Sequence, residues 1–456
     1  MADVRKIIFH VDVNSAFLSW SAVKRLKEDP GAVDLRTIPS AVGGDVETRH
    51  GVITAKSIPA KAFGVKTGEP VVKALRKCPS LVLVRSDFET YREYSRAFIR
   101  ILKEYSPLVQ QVSIDEAYMD MTESLDSFTG LLADLLVRTD DLDTSLRGLS
   151  DPSLSLSDPY AALAILAAGR IREQVRSELG FTVNVGISTN KLLAKTASDF
   201  GKPDKTHTLF PEEIPEKFWP LPIQELHGCG SSTARRLQDL GIHTIGDAAN
   251  ADISMLRLHL GEKGGMYIHN STNGLGSSTV HSEHEEAKSY SNELTTALDI
   301  NASNFEKEAL PLLAHLADKV SSRLKRDGFY ASTLGIMVKT DRFLRHSRQV
   351  TLRQSTNSRD QIYERAEELL RQLLYARNGL FEKGEAIRLI GISAANLDRG
   401  EFRQLNLLEY AESLPSPVSK KETPPDPEKA RRLERMMEQI RTQYGKEAIH
   451  KGSAGS

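Results

Sequence analysis

The chain has few cysteines, no long apolar run and almost no net charge. Its 456 residues include only Cys78 and Cys229, which are too few for a disulfide scaffold or a cysteine-based zinc site and indicate a reducing compartment. The longest apolar run, residues 160–168, is far too short to cross a bilayer, and no signal-type apolar stretch follows residues 1–6. These absences predict a cytoplasmic protein that does not contact a membrane.

Two common nucleotide-binding loops are also missing, and the net charge of -1 does not by itself indicate a nucleic-acid partner. No glycine-rich segment carries the Lys-Ser/Thr pair of a Walker A loop or the third glycine of a dinucleotide fingerprint. Nucleotide binding through either of these loops is therefore not predicted.

The charges are distributed unevenly along the chain. Residues 122–159 contain eight acids and two arginines, which is typical of a solvated insertion. Residues 323–353 contain two acids, Asp327 and Asp341, against eight basic residues: Arg323, Lys325, Arg326, Lys339, Arg342, Arg345, Arg348 and Arg353. On a strand-like sequence this basic stripe indicates a surface that grips a phosphate backbone, although a merely solvated face is the alternative.

Three carboxylates in two places are the most informative feature of the chain. Asp12 lies in the apolar, β-branched run 7–13, which predicts a central strand. Asp115 and Glu116 lie between the strand-like segments 108–113 and 117–121, which predict a hairpin with these acids at its tip. If the hairpin pairs beside the first strand, all three acids converge.

Converging acids predict a metal site. Ionised carboxylates beside a buried strand are costly unless a cation lies on them, and Mg²⁺ prefers oxygen ligands. Such a cluster can hold two Mg²⁺ ions, about 3.5–4 Å apart, in enzymes that transfer phosphoryl or nucleotidyl groups. The alternative is that each acid is an ordinary turn residue or a surface ion-pair partner.

The order of the predicted elements indicates an α+β protein of several domains. Residues 1–210 alternate between strand-like and helix-like segments, which predicts a sheet that carries the acids and has helices on one side. Residues 221–237 predict a helix, a turn at Gly228 and Gly230, and a second helix. This pattern suits sequence-independent binding of a DNA backbone, and a simple tight turn is the alternative.

Four further segments are predicted towards the C-terminus. Residues 273–286 are polar and predict a linker, and a second α+β unit with a final strand at 386–394 follows. The prolines between residues 415 and 425 predict a tether. Residues 430–444 predict a helix with an apolar stripe, which is expected to pack against another surface that the sequence does not identify.

Four sequence motifs carry a specific combination of residues: His10-Val11-Asp12-Val13-Asn14-Ser15-Ala16-Phe17, the glycine-bounded stretch 51–64, Ser113-Ile114-Asp115-Glu116-Ala117-Tyr118, and Val185-Gly186-Ile187-Ser188-Thr189-Asn190-Lys191. In this order and spacing they closely resemble the bacterial Y-family, lesion-bypass DNA polymerases of the polymerase IV and UmuC type. The resemblance extends over residues 5–410, and such a set is very improbable by chance.

The resemblance implies a right-hand-like polymerase fold. The implied divisions are a palm at 1–15 and 85–209 with the acidic insertion 122–159, small fingers at 16–84, a helical thumb with a helix-hairpin-helix at 210–276, a linker at 277–286, a little finger at 287–400, and a tail at 401–456.

The resemblance also implies roles for individual residues. The metal ligands would be Asp12, Asp115, Glu116 and the backbone carbonyl of Val13. Phe17 would pack against the sugar of the incoming nucleotide and exclude a 2′-hydroxyl. The remaining implied contacts are Ser57, Lys61 and Lys202 to the nucleotide, Gly228, Gly230, Arg342 and Arg345 to DNA, and Gln404, Leu405, Leu407 and Leu408 to a sliding clamp.

Two places depart from the family pattern. Many relatives carry Thr, Tyr and Arg in the fingers segment where this chain has Ala55, Ile58 and Lys61. At Ile58 the chain therefore lacks the tyrosine hydroxyl and its hydrogen bond, and Lys61 cannot make the bidentate phosphate contact of arginine. Asn14 stands where an additional Asp is common in the family. This difference argues against the need for a fourth carboxylate to bind metal.

The resemblance implies a low-fidelity, template-directed DNA polymerase for lesion bypass, working as a monomer with Mg²⁺, primer–template DNA, deoxynucleoside triphosphates and a sliding clamp. Two alternatives stay open. A catalytically idle DNA- and clamp-binding adaptor would use the same scaffold, but the presence of all three acids argues against it. A palm-fold nucleotidyl cyclase would need neither the thumb nor the basic domain.

Overall fold

The computed structural model describes residues 5–44, 51–130, 159–283 and 286–400, together with a few isolated positions between 432 and 443. Its strands are β1 (Ile8–Val13), β2 (Ser40–Gly43), β3 (Ile53–Lys56), β4 (Val82–Val84), β5 (Val109–Gln111), β6 (Glu116–Asp120), β7 (Val183–Ser188), β8 (Thr206–Thr208), β9 (Ser289–Ile300), β10 (Tyr330–Thr340), β11 (Arg345–Thr356) and β12 (Ile387–Asp398). Its helices are α1 (Ala16–Glu28), α2 (Ile58–Ala62), α3 (Val71–Lys77), α4 (Phe88–Tyr105), α5 (Pro159–Gln174), α6 (Lys191–Asp199), α7 (Ser231–Asp239), α8 (Ile245–Ala249), α9 (Ile253–Leu260), α10 (Glu262–Thr272), α11 (Phe305–Arg326) and α12 (Arg359–Tyr375). In these ranges no helix has the length and apolar character needed to cross a membrane.

Strand β1 lies at the centre of a five-stranded sheet with the order β5-β6-β1-β7-β8. It pairs antiparallel with β6 on one side and with β7 on the other. Its side chains Ile8, Phe9 and Val11 are fully buried, as expected for a strand that is covered on both faces. The predicted first strand, the predicted hairpin and their pairing are confirmed.

Different helices cover the two faces of this sheet. Alternate side chains of β1 point to opposite faces, and Phe9 joins the large core that contains Trp20 of α1 and Phe98 of α4. Helix α6 lies on the opposite face, where Ala194 packs with Ile8. The prediction that helices lie on one side of the sheet is therefore wrong.

Helix α6 can cover that face because β7 contains a glycine at the point of contact. A Cβ atom on Gly186 would lie 2.0 Å from the carbonyl oxygen of Ala194 and 2.3 Å from the amide nitrogen of Ser198. Only glycine lets the backbones of the strand and the helix approach this closely. The alternation of apolar and polar residues along β7 does not reveal the contact.

A second, smaller sheet has the strand order β3-β2-β4. Helices α2 and α3 pack on one side of it around Ala41, Ile53 and Val71. On the other side Val42 packs with Leu18 of α1. The small sheet is thereby joined to the helix that follows β1.

Residues 211–272 form a helical unit in which α7 to α10 surround a shared apolar core. Two helices are predicted within 221–237. The prediction of the first is wrong, because Ile223–Glu225 form only a 3-10 turn. Pro222 is extended and forms an isolated β-bridge with Thr244. Since this bridge precedes the turn, no room remains for a full helix before the glycines. The second predicted helix is present as α7.

The last four strands form an antiparallel sheet with the order β11-β10-β12-β9. Helices α11 and α12 cover one face around a core that includes Leu316, Ile336 and Leu370. The final strand was predicted to end at Ala394 and instead continues to Asp398. The second α+β unit is confirmed, and its other sheet face has no helix packed against it among the described elements.

The basic segment 323–353 is divided between a helix and strands. Arg323, Lys325 and Arg326 lie in the last turn of α11, where the partial negative charge of a helix C-terminus favours cations. The prediction of a basic stripe on strands is therefore wrong for these three residues. It is confirmed for the basic residues of β10 and β11.

The segment predicted to be a linker contains no helix or strand in the residues described between α10 and β9. It lies along the sheet that carries the acids. Val280 packs with Ile8 and Tyr118, and the His281 amide donates to Gln110 Oε1 at 3.3 Å. The acidic insertion beyond residue 130 and the predicted tether lie outside the described residues, and the predicted terminal helix is described only at isolated positions.

Candidate active site

Backbone pairing brings the three predicted acids to one end of β1. Asp12 and Glu116 lie directly opposite each other in the register of β1 and β6. The Val13 amide donates to the carbonyl oxygen of Asp115 at 3.0 Å. Because directly opposite residues of antiparallel strands have Cα atoms about 4.5–5.5 Å apart, the backbone positions of all three acids lie in one small region.

Local bonds hold the turn that carries Asp115. Ser113 Oγ donates to Asp115 Oδ1 at 2.5 Å, and the Asp115 amide donates to Ser113 Oγ at 3.2 Å. The Val112 amide bonds to the carbonyl oxygen of Glu116 at 3.0 Å and closes the turn between β5 and β6. This part of the site follows from neighbouring residues alone.

Two lysines from α6 and the segment after it lie against the carboxylates. Lys195 Nζ donates to Glu116 Oε2 at 2.5 Å. Lys202 Nζ contacts Asp12 Oδ2 and lies 2.8 Å from Asp199 Oδ1. The family resemblance implies a role for Lys202 but not for Lys195, because no local pattern distinguishes Lys195 from a solvated helix lysine.

The two paired carboxylates have opposite pKa shifts. The His10 imidazole and the Lys195 ammonium lower the pKa of Glu116 to about 2. Burial raises the pKa of Asp12 above its ordinary value, although the charge of Lys202 opposes this shift. Glu116 is therefore ionised at neutral pH, whereas Asp12 depends more strongly on a nearby cation to stay ionised.

The oxygen donors at this point suit a hard cation. Within the described ranges no three histidine, cysteine or acidic side chains form a group that could hold one ion. Asp12 and Glu116 are instead each paired with a lysine, so positive charge already lies on both carboxylates. Carboxylate and carbonyl oxygens are the ligands that hard divalent cations prefer. The donor set therefore fits such a cation.

Phe17 lies on the first turn of α1, close to the end of β1. Its ring stacks on Tyr91 of α4, with centroids 4.8 Å apart, and lies edge-on to Phe88 at 6.3 Å. The Tyr91 hydroxyl lies 3.0 Å from Ser21 Oγ, which fixes the supporting ring. Neither α4 aromatic is predicted from the sequence, because both lie far from Phe17 along the chain.

The predicted fingers residues have different environments. Ser57 is 3% exposed; its hydroxyl donates to the Ile38 carbonyl and accepts from the Ala60 amide as the cap of α2. Lys61 is exposed on that helix. Burial, followed by the charge of Lys61, lowers the pKa of Lys56. Ser57 thus acts through the helix that it caps, whereas Lys61 can reach a ligand directly.

The predicted DNA contacts lie in the helical unit and the last sheet. Gly228 has a φ of +83°, and the adjacent His227 carbonyl accepts from the Tyr267 hydroxyl at 2.6 Å. Gly230 is the N-cap of α7. Arg342 is exposed in the turn between β10 and β11, and Arg345 is exposed as the first residue of β11. The clamp-docking residues Gln404, Leu405, Leu407 and Leu408 lie outside the described residues.

Three family models match the chain. They are the impB/mucB/samB family over residues 11–199, the HHH motif of the IMS family over 211–242, and the impB/mucB/samB family C-terminal domain over 287–407. These matches cover most of the two sheet-containing parts of the chain and the first half of the helical unit between them.

Curated relatives match the chain over nearly its full length. The chain is 34% identical to the DNA polymerase IV of Clostridium acetobutylicum over 444 residues, which are 97% of each protein. It is 35% identical to DNA polymerase IV 1 of Bacillus subtilis over 451 residues, which are 98% of this chain and 93% of that protein. A solved structure, the Y-family DNA polymerase chimera Dbh-Dpo4(243-245)-Dbh, has a TM-score of 0.67 and 23% identity, and the match covers 86% of this chain and 98% of that one. The structural likeness demonstrates a shared fold.

Proposed function

The chain belongs to the impB/mucB/samB family, the Y-family DNA polymerases, and we infer that it is a low-fidelity DNA polymerase that extends a primer across damaged template. The observation that carries this function is the backbone pairing that places Asp12, Asp115 and Glu116 at one end of β1. An idle adaptor is not favoured, because a protein that only binds DNA has no need of three acids at the end of one strand.

We assign four residues as metal ligands. Bound Mg²⁺ would lower the pKa of the primer 3′-hydroxyl and neutralise charge on the triphosphate. The carboxylates of Asp12, Asp115 and Glu116, with the carbonyl of Val13, would hold two such ions. The turn bonds of Asp115 and the register of β1 with β6 support these ligands before substrate arrives.

The lysines of the site have separate proposed tasks. His10 and Lys195 together keep Glu116 ionised, and Lys195 orients it through a 2.5 Å bond. Lys202 and Lys61 supply point charges for the triphosphate, and Ser57 contributes through the helix that it caps. Phe17 faces the sugar.

We assign domains on the same basis. The proposed divisions are a palm at 1–15 and 85–209, fingers at 16–84, a thumb at 210–276, a linker at 277–286, a little finger at 287–400 and a tail at 401–456. The five-stranded sheet supports the palm and the small sheet supports the fingers. The helical unit supports the thumb, and the four-stranded sheet supports the little finger.

Template-directed primer extension tests the proposal. The protein is expected to add the deoxynucleotide complementary to the template base only when primer–template, the triphosphate and Mg²⁺ are all present, and EDTA is expected to stop the reaction. Turnover of triphosphate without DNA would indicate a nucleotidyl cyclase. Binding of primer–template without incorporation would indicate the adaptor.

Phe17→Ala is expected to admit ribonucleotides. The Phe17 ring is held by its stack on Tyr91, and its removal leaves space for a 2′-hydroxyl. Single-nucleotide incorporation is expected to show that kcat/KM for deoxynucleotides over ribonucleotides falls by at least about tenfold. Phe343→Ala, which removes an exposed aromatic in the turn between β10 and β11, is the matched control. Unchanged sugar discrimination in the Phe17 variant would remove its proposed role.

The face of the last sheet opposite α11 and α12, here called the open face, is the proposed DNA surface. Ile336 and Val338 of β10 point to the helices, so Lys339 points to the open face. Arg345 lies directly opposite Lys339 in the register of β10 and β11. This face therefore offers positive charge to a phosphate backbone.

The double variant Lys339→Ala/Arg345→Ala is expected to weaken DNA binding and reduce its salt dependence. Each phosphate contact contributes roughly 0.9 to the slope of log Kd against log salt concentration for duplex DNA, so the slope is expected to fall by about 2. Fluorescence anisotropy between about 50 and 200 mM salt measures it. Arg365→Ala on α12, where Arg365 pairs with Glu368, is the control. An unchanged slope in the double variant would contradict the assignment.

Three finer points belong to the same proposal. We propose that the protein acts as a monomer in the cytoplasm, and that residues 404–408 dock on a sliding clamp through Gln404, Leu405, Leu407 and Leu408. An extended peptide that places a few side chains in pockets is a common docking mode. Loss of clamp-stimulated extension after alanine replacement of Leu407 and Leu408, with unstimulated extension intact, tests the docking peptide.

A further inference from the structure

Two buried carboxamides, Asn14 and Asn184, form a pair beside the candidate active site. Asn14 is 7% exposed and Asn184 is fully buried. Asn14 Nδ2 donates to Asn184 Oδ1 at 3.1 Å. Asn14 directly follows β1, and Asn184 lies on β7 opposite Asp12. Buried amides of this kind are stable only when their polar atoms are bonded.

Both amides bond to the chain that connects α6 to β8. Asn14 Oδ1 accepts from the Asp204 amide at 2.9 Å, and Asn184 Oδ1 accepts from the Lys205 amide at 3.2 Å. Asn184 Nδ2 donates to the carbonyl of Phe200 at 3.2 Å. The pair therefore holds both ends of residues 200–205.

This connecting segment requires support. It has neither helix nor strand from Phe200 to Lys205. Gly201 has a φ of +48° and Asp204, a residue with a side chain, has a φ of +54°. A left-handed conformation outside glycine is costly and persists only where surrounding bonds maintain it. Lys202 lies between these two positions and reaches Asp12.

We propose that Asn14 and Asn184 are positioning residues that hold residues 200–205 so that the Lys202 ammonium reaches the triphosphate. The inference rests on the proposed function, in which Lys202 binds the incoming nucleotide. The side-chain hydrogen bonds of the two amides go to each other, to Thr182, to Ser198 and to residues 200–205 rather than to the three carboxylates, so the amides act through the connecting segment. Asn14 is suited to this work because its oxygen accepts from Asp204 and from Thr182 Oγ1, at 2.9 Å each, while its nitrogen donates to Asn184.

A double-mutant cycle between Asn14→Ala and Lys202→Ala tests the inference. Lys202→Ala is expected to raise the KM for the incoming deoxynucleotide by about tenfold. Asn14→Ala is expected to raise it by about fivefold while kcat changes less than about threefold. In the Lys202→Ala background the further effect of Asn14→Ala is expected to be below about twofold, because the lysine that it positions is gone.

Two further variants keep the test decisive if Asn14→Ala folds poorly. Thr182→Val retains the shape of Thr182 and removes one hydrogen bond to Asn14. The KM for the incoming deoxynucleotide is therefore expected to rise by only about twofold. This rise is expected only when Lys202 is present. Asn273→Ala is the control: the Asn273 amide donates to the carbonyl of His269 at 2.9 Å, far along the chain from the connecting segment, and its loss is expected to leave KM unchanged.

The possible outcomes distinguish a failure of the positioning role of the amides from a failure of the proposed role of Lys202. An unchanged KM in Lys202→Ala would refute the proposed role of Lys202. A raised KM in Lys202→Ala with equal, additive effects of Asn14→Ala in both backgrounds would overturn the positioning role alone. A lowered melting temperature and kcat with unchanged KM in both Asn14→Ala and Thr182→Val would also overturn it, because the amides would then be merely structural.

Discussion

Asp115→Asn is expected to lower the rate of primer extension by roughly three orders of magnitude, which corresponds to about 4 kcal/mol of lost transition-state stabilisation. The substitution keeps the shape of the side chain and removes its charge. The Asp115 amide still bonds to Ser113 Oγ at 3.2 Å, so the turn is expected to persist. Asp12 and Glu116 already have lysine partners, which leaves Asp115 as the acid whose loss most directly removes metal-binding charge.

Single-turnover extension measures this effect, and two accompanying measurements isolate it. The melting temperature and the affinity for primer–template are expected to stay close to those of the unmodified protein, because residue 115 lies in a turn and not in the core. Asp126→Asn, which neutralises an exposed acid in the 3-10 turn Ser124–Phe128, is the matched control. Extension by the Asp115→Asn protein at a rate within tenfold of normal would end the assignment of this site to metal.

Gly186→Ala is expected to destabilise the first sheet by at least about 3 kcal/mol. The added Cβ would meet the carbonyl oxygen of Ala194 at 2.0 Å and the amide of Ser198 at 2.3 Å. Both are backbone atoms, which cannot rotate away as a flexible side chain would. Helix α6 would have to move off the sheet, and Lys195 would move with it. Activity is therefore expected to fall together with stability.

Chemical denaturation followed by circular dichroism measures the loss of stability. Gly169→Ala is the control, because a Cβ atom added to Gly169 of α5 would meet no described atom within 4 Å outside the backbone of its own helix. Alanine there is expected to leave stability unchanged or raise it by about 0.5–1 kcal/mol, since glycine is a poor helix former. A Gly186→Ala protein as stable as the parent would contradict the close contact between α6 and β7.

The parts of the site that could be predicted from sequence depend on local patterns. The β-branched run before Asp12 predicts a strand, and two short runs around Asp115 and Glu116 predict a hairpin. The structure contains both, paired as expected. The errors arise where a distant contact overrides the local pattern: the bridge of Pro222 to Thr244 replaces a predicted helix.

Several residues of the site have no local signal. Lys195 and Tyr91 resemble ordinary helix residues until their helices are placed against the sheet. Asn184 resembles a polar interruption in a buried strand, and only the path of residues 200–205 explains it. These contacts join residues far apart in the chain, so no window of sequence contains both partners.

The amino-acid sequence by itself determined that three acids occupy strand and turn positions, because alternation, β-branching and turn chemistry act over a few neighbouring residues. Tertiary structure alone decided which cations face those acids and which buried amides support the lysine segment. The physical reason is that charge pairing and the bonding of buried polar groups depend on distance in space, and that distance is set only when α6 packs onto the sheet at Gly186.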